Sequence, residues 1–98
     1  MRSSSTILTG AAQGYLALLC DHFAARVPAS AEGREARISF TIGEVRLRAS
    51  PQTLMVTADA EEPDALARLE GLVERHLKRL ADREPRLAVE WRRAPLSA

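Results

Sequence analysis

Two histidines, one cysteine and a charged turn carry most of the chemistry this chain could do. His22 stands next to last in the run Tyr15-Leu16-Ala17-Leu18-Leu19-Cys20-Asp21-His22-Phe23, and His76 opens a second run that ends in Arg83-Glu84. Cys20 and His22 invite a reading as a metal-ligand pair. On a helix, however, residues two apart differ by about 200° and do not share a face. Cys20 instead lies beside Leu16 and Val27, and is read as a small thiol filling a core gap. His22 and His76 each stand at the edge of an apolar stripe, about one turn before a helix ends. Helices laid side by side would bring both rings to one groove. Such a pair could respond to pH, contact a ligand, or hold a metal weakly with Glu84 or Cys20. The plainer alternative is two imidazoles bonded to backbone carbonyls or to a carboxylate such as Glu84. For Arg83 and Glu84 the choice is between an ion pair or helix-end contact and the polar lip of a pocket.

The remaining inventory is thin. The chain has no Gly-rich phosphate loop, no paired-cysteine motif and no nucleophile elbow. Nothing calls for a cofactor, and no catalytic set is assigned. His22 and His76 are weak metal candidates because no third ligand accompanies them by spacing.

The elements that must position these residues follow from periodicity. Residues 4–9 form a polar, β-branched run expected to be a strand. Thr9 can then cap a helix over residues 10–26, with Ala12, Tyr15, Leu16, Leu19, Phe23 and Arg26 on one stripe. Pro28 ends that helix, and residues 28–34 are expected to be a loop. Three alternating strands follow, with Ala36, Ile38, Phe40, Val45, Leu47, Ala49, Leu54, Val56 and Ala58 on the inner face. Pairing Phe40 with Val45 and Ala49 with Leu54 makes an antiparallel meander, with residues 41–44 and 50–53 as turns. A tight turn at Ile42-Gly43 is set aside because it would put a β-branched residue at positive φ. Glu61-Glu62-Pro63-Asp64 opens a second helix whose buried stripe is Leu66, Leu69, Val73, His76, Leu77 and Leu80. Leu87, Val89 and Trp91 then alternate with Ala88, Glu90 and Arg92 as a final strand. Trp91 is expected to close the core, with its indole N–H reaching an edge partner.

The expected architecture is therefore α+β: a two-layer sandwich in the order β-α-β-β-β-α-β. Its sheet is mostly antiparallel, with both helices on one face. Ninety-eight residues make one domain, with 46% hydrophobic and 28% charged residues. The net charge of +1 argues against strong attraction to nucleic acid or anionic membrane. The outer sheet face carries Arg37, Arg46 and Arg48 but no aromatic residue on which a base could stack, so a nucleic-acid reading ranks last. A self-association surface or a solvated face accounts equally well for its Arg, Thr and Glu residues. A single cysteine, no apolar leader segment and no run of about 20 apolar residues lead to the expectation of a cytoplasmic protein without a membrane span.

Three stretches also carry a family resemblance. Tyr15-Leu16-x-x-Leu19-Cys20-x-His22-Phe23, Ile38-x-Phe40-x-x-Gly43 and His76-Leu77-x-Arg79-Leu80-Ala81-x-Arg83-Glu84, followed by Trp91, resemble bacterial domain-of-unknown-function family 2218. The match runs in order and spacing from about Ser4 to Arg92. The resemblance implies a module that occurs alone or fused to flavin-dependent siderophore-interacting proteins. It thus implies a link to iron acquisition and a small-ligand or flavoprotein partner, with no assigned activity. The chain departs from the family pattern at Gly14, where a basic residue is common, and at Leu80, where Phe is common. It also has Ala24-Ala25-Arg26 where a further His is often found, which weakens any metal site needing more histidines. The leading expectation is a non-enzymatic binding or accessory domain. A metal or acid-base site on His22 and His76 comes second.

Overall fold

The inner-face alternation builds one large sheet in the computed structural model, which describes residues 1–94. In chain order the elements are β1 (Arg2–Leu8), α1 (Ala12–Ala24), β2 (Ala29–Glu32), β3 (Glu35–Phe40), β4 (Gly43–Ala49), β5 (Thr53–Asp59), α2 (Pro63–Leu80) and β6 (Arg92–Arg93). The sheet order is β2-β3-β4-β5-β1-β6, and every pairing is antiparallel. The architecture is the expected α+β one, with six strands rather than five.

The additional strand is β2, where a loop was expected. Its Ala-Ser-Ala-Glu sequence has no apolar alternation to announce it. Gly33, at φ 61°, turns the chain so that Ala29 lies opposite Ile38 and Glu32 opposite Glu35. Glycine enters that left-handed region without the steric cost a Cβ would bring.

The β4–β5 hairpin has the expected register, Ala49 opposite Leu54 and Leu47 opposite Val56. The β3–β4 hairpin does not. Phe40 lies opposite Gly43, Ile38 opposite Val45 and Ala36 opposite Leu47, which leaves only Thr41 and Ile42 as the turn. A shift of two residues keeps every side chain on its own face, so alternation alone cannot distinguish the two registers. Packing at Gly43 decides. A Cβ there would collide with the Asp59 carbonyl oxygen and stand 2.8 Å from Leu69 Cδ1. The close approach of β4, β5 and α2 thus requires glycine in the ladder.

Both helices cover one sheet face. α1 buries Ala12, Tyr15, Leu16, Leu19, Cys20 and Phe23, and α2 buries Leu66, Leu69, Val73 and Leu77. They pack on Ile7, Ile38, Val45, Leu47, Leu54 and Val56 from the sheet. Each fully buried Leu or Ile among them contributes roughly 1.5–3 kcal/mol. α1 is shorter than expected at both ends. Thr9 does not cap it directly; its Oγ1 accepts from the Ala11 N–H at 3.1 Å, in the turn before the helix, and Arg26 lies exposed beyond it.

The expected final strand is corrected most. Residues 87–91 form no ladder, and β6 is only Arg92–Arg93, opposite Ser4 and Ser3 of β1. The alternation survives without the strand: Leu87, Val89 and Trp91 are half-buried against the core, whereas Ala88, Glu90 and Arg92 are exposed. Pro85 and the hydrogen bond from the Leu87 N–H to the Glu84 carbonyl (3.0 Å) hold this strap in a turn at its start. No helix among the described residues is long and apolar enough to cross a membrane.

Candidate functional site

The helices run antiparallel across the sheet, so the end of α1 meets the second half of α2. His22 and His76 are brought together there, with ring centroids 4.5 Å apart and planes tilted by 46°. Phe23 is the wedge that fixes them. Its buried ring lies 5.0 Å from each histidine and meets Phe40 of β3 edge-on at 5.2 Å. The four rings form one cluster, the type of arrangement in which edges and faces of opposite partial charge meet. His22 is exposed and His76 half-buried, so the pair opens to solvent at the helix–helix seam.

His76 has a defined tautomer. Its Nδ1 stands 2.7 Å from the Leu72 carbonyl, one turn earlier on α2. A carbonyl can only accept, so Nδ1 carries the hydrogen and Nε2 of the neutral ring keeps its lone pair. That same arrangement, one nitrogen tied to a carbonyl and the other left basic, orients histidine ligands in metal sites.

Glu84 and Arg83 do not join the pair. Glu84 Oε1 accepts from Thr9 Oγ1 at 2.7 Å and from the Tyr15 hydroxyl at 2.5 Å, which ties the turn after α2 to the first turn of α1. Tyr15 precedes His22 by two turns of α1, about 10 Å at the helical rise. The Tyr15 hydrogen bond, and then that of Thr9, holds the Glu84 carboxyl below the usual carboxylate range. Burial first, and the hydrogen bond to Glu84 second, push the Tyr15 phenol up to about 12. Arg83 is exposed, and among the described residues it forms no ion pair with Glu84. Cys20 is buried, 5% exposed, on the other side of α1 from His22, and burial pushes its thiol pKa up. No cluster of three or more His, Cys, Asp or Glu side chains suited to a metal occurs among the described residues.

A second polar node escaped the sequence reading. Glu70 of α2 takes Ser3 Oγ at 2.5 Å and both Nε and Nη2 of Arg93, at 3.3 and 2.9 Å. The Arg93 guanidinium, aided by Ser3, holds the Glu70 carboxyl below its usual range. Three elements meet at this one carboxylate. The only advance signal is the position of Glu70 beside Leu69 on the stripe edge. Trp91 does find an edge partner, Glu74 Oε1 at 3.1 Å, and Glu74 also pairs with Lys78 at 3.3 Å. Asp64 and Arg68, four positions apart on the same helix, form no ion pair among the described residues.

The outer sheet face is a mesh of opposite charges. Arg37 and Arg46 share Glu44 at 3.0 and 2.9 Å, Arg2 meets Asp59 at 2.9 Å, and Arg48 approaches Glu35 at 3.9 Å.

Comparison with known proteins agrees with this architecture. The NMR structure of PA4090 from Pseudomonas aeruginosa superposes with a TM-score of 0.80 at 27% identity, over 99% of this chain and 98% of that one. No curated protein matches the chain. A family model described as "Uncharacterized protein conserved in bacteria (DUF2218)" matches residues 4–92, which include both helices, the whole meander and the histidine pair. The chain belongs to the DUF2218 family of uncharacterised bacterial proteins.

Proposed function

We propose that this domain is a non-enzymatic binding module whose contact with its ligand is the His22–His76 pair. The observation that carries the proposal is the 4.5 Å approach of two imidazoles from different helices at a solvent-open seam. In the neutral form of His76 the free nitrogen is Nε2, because the Leu72 carbonyl holds the hydrogen on Nδ1. Two imidazoles, when neutral, are a borderline nitrogen donor set that suits Zn, Cu, Ni or Fe, or a ligand carrying one. Links to iron, siderophores or a flavoprotein partner rest on family resemblance alone and specify no further residue. Because Glu84 is engaged by Thr9 and Tyr15, the proposed site narrows from four residues to two. An acid-base role for the same pair is the second reading, favoured by the fixed tautomer of His76.

The test is a titration of the isotope-labelled chain with Ni²⁺, Zn²⁺ and a ferric siderophore, followed by the ring resonances of the two histidines. Micromolar binding that moves both rings and is lost in His76→Ala supports the reading. Equal binding by His76→Ala and the wild type, or no movement of either ring, overturns it.

A further inference from the structure

The first strand is zipped on one side only. Along its whole length β1 pairs with β5, from Arg2 opposite Asp59 to Leu8 opposite Thr53. On the other side β6 covers only Ser3 and Ser4. The backbone fixes which residues face that second side. The Thr9 N–H bonds to the Gln52 carbonyl and the Met1 carbonyl accepts from the Ala60 N–H, so odd-numbered residues of β1 face β5. The Arg2 carbonyl accepts from the Ala94 N–H, so even-numbered residues face β6. Thr6 and Leu8 therefore direct two N–H and two C=O groups at the uncovered edge. Among the described residues no backbone hydrogen bond reaches them. An exposed edge of this kind is a template for one more strand.

The strap lies beside that edge and already carries the matching pattern. Continuing the Ser4–Arg92 register would place Thr6 opposite Glu90, Ile7 opposite Val89 and Leu8 opposite Ala88. Side-chain parity agrees at each step. Arg93 reaches inward to Glu70, Trp91 and Val89 are half-buried, and Glu90 and Ala88 are exposed like Thr6 and Leu8. A cleft of about 600 Å³ separates the two, and Thr6, Leu8, Ala88 and Glu90 all line it. The residues that the register would join are thus the residues facing one another across the gap. No proline interrupts residues 86–91.

We infer that this cleft is a strand-acceptor site for the chain's own residues 88–91, which zip onto the Thr6–Leu8 edge and extend β6. The Glu84 contacts with Thr9 and Tyr15 anchor the strap at one end, and the Arg93–Glu70 bridge anchors it at the other. Closure therefore needs only local rotation between two fixed points. In the open arrangement the edge is free to receive an extended segment of another chain. In the closed one it is sealed.

Amide hydrogen exchange of the full chain, resolved by NMR, tests this. Thr6 and Leu8 amides are expected to be slowed at least about tenfold relative to free peptide. In Glu90→Pro, which removes a ladder donor, that slowing should vanish, while the β5-bonded amides of Ser5 and Ile7 stay protected as a control for folding. Unslowed Thr6 and Leu8 amides in the wild type would sink the inference, as would equal slowing in Glu90→Pro. Slowing that grows with protein concentration would assign the edge to a second copy and also overturn it.

Discussion

Tyr15 and Glu84, 69 positions apart, are joined by a 2.5 Å hydrogen bond that locks the start of α1 to the turn after α2. Because Tyr15 is the only tyrosine in the chain, its ionisation can be followed directly by absorbance. With the phenol pushed up to about 12 from 10.0, the hydrogen should stay on well past the ordinary titration range. Stability linked to it is complete below pH 10 and lost as pH rises toward the folded value. Glu84→Gln removes the charge and should bring the tyrosine midpoint down. A midpoint that does not move would show that burial alone sets it.

Acid should destabilise the domain through two carboxylates. Glu70 and Glu84 both titrate below the ordinary value of 4.5 in the folded chain. Below that value the unfolded chain takes up protons that the folded one refuses, so stability falls as pH drops through the lowered folded values. Thermal midpoints should be level above about pH 5.5 and decline beneath it. The variant Glu70→Gln, Glu84→Gln should start lower at neutral pH and show a shallower acid decline. An acid decline as steep as that of the wild type would place the linkage elsewhere.

Ser3 and Ser5 offer opposite outcomes from the same substitution. Both side chains are buried, at 0% and 3% exposed, yet Ser3 serves Glu70 while Ser5 Oγ has no partner among the described residues. An unpaired buried hydroxyl costs about 1–3 kcal/mol, so Ser5→Ala should leave stability unchanged or raise it by about 1 kcal/mol. Ser3→Ala should lower it by about 1–2 kcal/mol by leaving the half-buried Glu70 carboxylate one hydrogen-bond donor short. Chemical denaturation compares the two, and a loss in Ser5→Ala as large as that in Ser3→Ala would contradict the assignment.

Gly43→Ala should be among the costliest small substitutions. The added methyl meets backbone at Asp59 and packed side chains at Leu69 and Ala60. Overpacking of this kind costs about 1–3 kcal/mol. A change below about 0.5 kcal/mol would mean that β4 has room to shift.

Short oligonucleotides should show no salt-dependent retention. Arg37, Arg46 and Arg48 of the outer face are each paired with a carboxylate, and no aromatic ring stands among them. Binding in low salt that collapses in high salt would reverse this, and Arg46→Ala would then be the first variant to examine.

Much of the fold could be read in advance because its signals are local. The stripe of α2, the parity of β3, β4 and β5, and the turn at Ser50-Pro51 depend on residues within a few positions of one another. The meeting of His22 and His76 followed from two helices sharing one face. The β3–β4 register was not legible, because a two-residue shift leaves parity intact and the deciding contact is between Gly43 and residues 16 or more positions away. β2 has too little apolar content to announce itself. The strap kept its alternation but not its ladder, because turn geometry at Glu84 and Leu87 competes with pairing. Glu84 was expected near the histidines, and its true partners, Thr9 and Tyr15, lie in a distant part of the chain.

The placement of β1 sets the order in which the chain can assemble. β2 through β5 join neighbours in sequence, so that meander can form early by closing short loops. β1 must wait: its side-chain bridge from Arg2 to Asp59 spans 57 positions, and its place in the sheet lies between β5 and β6. Of the described strands, the one made earliest is therefore among the last to be paired, and α1 has an incomplete sheet to rest on until β5 follows. Folding should be limited by this one long-range docking step, which closes the sheet and seals the core together.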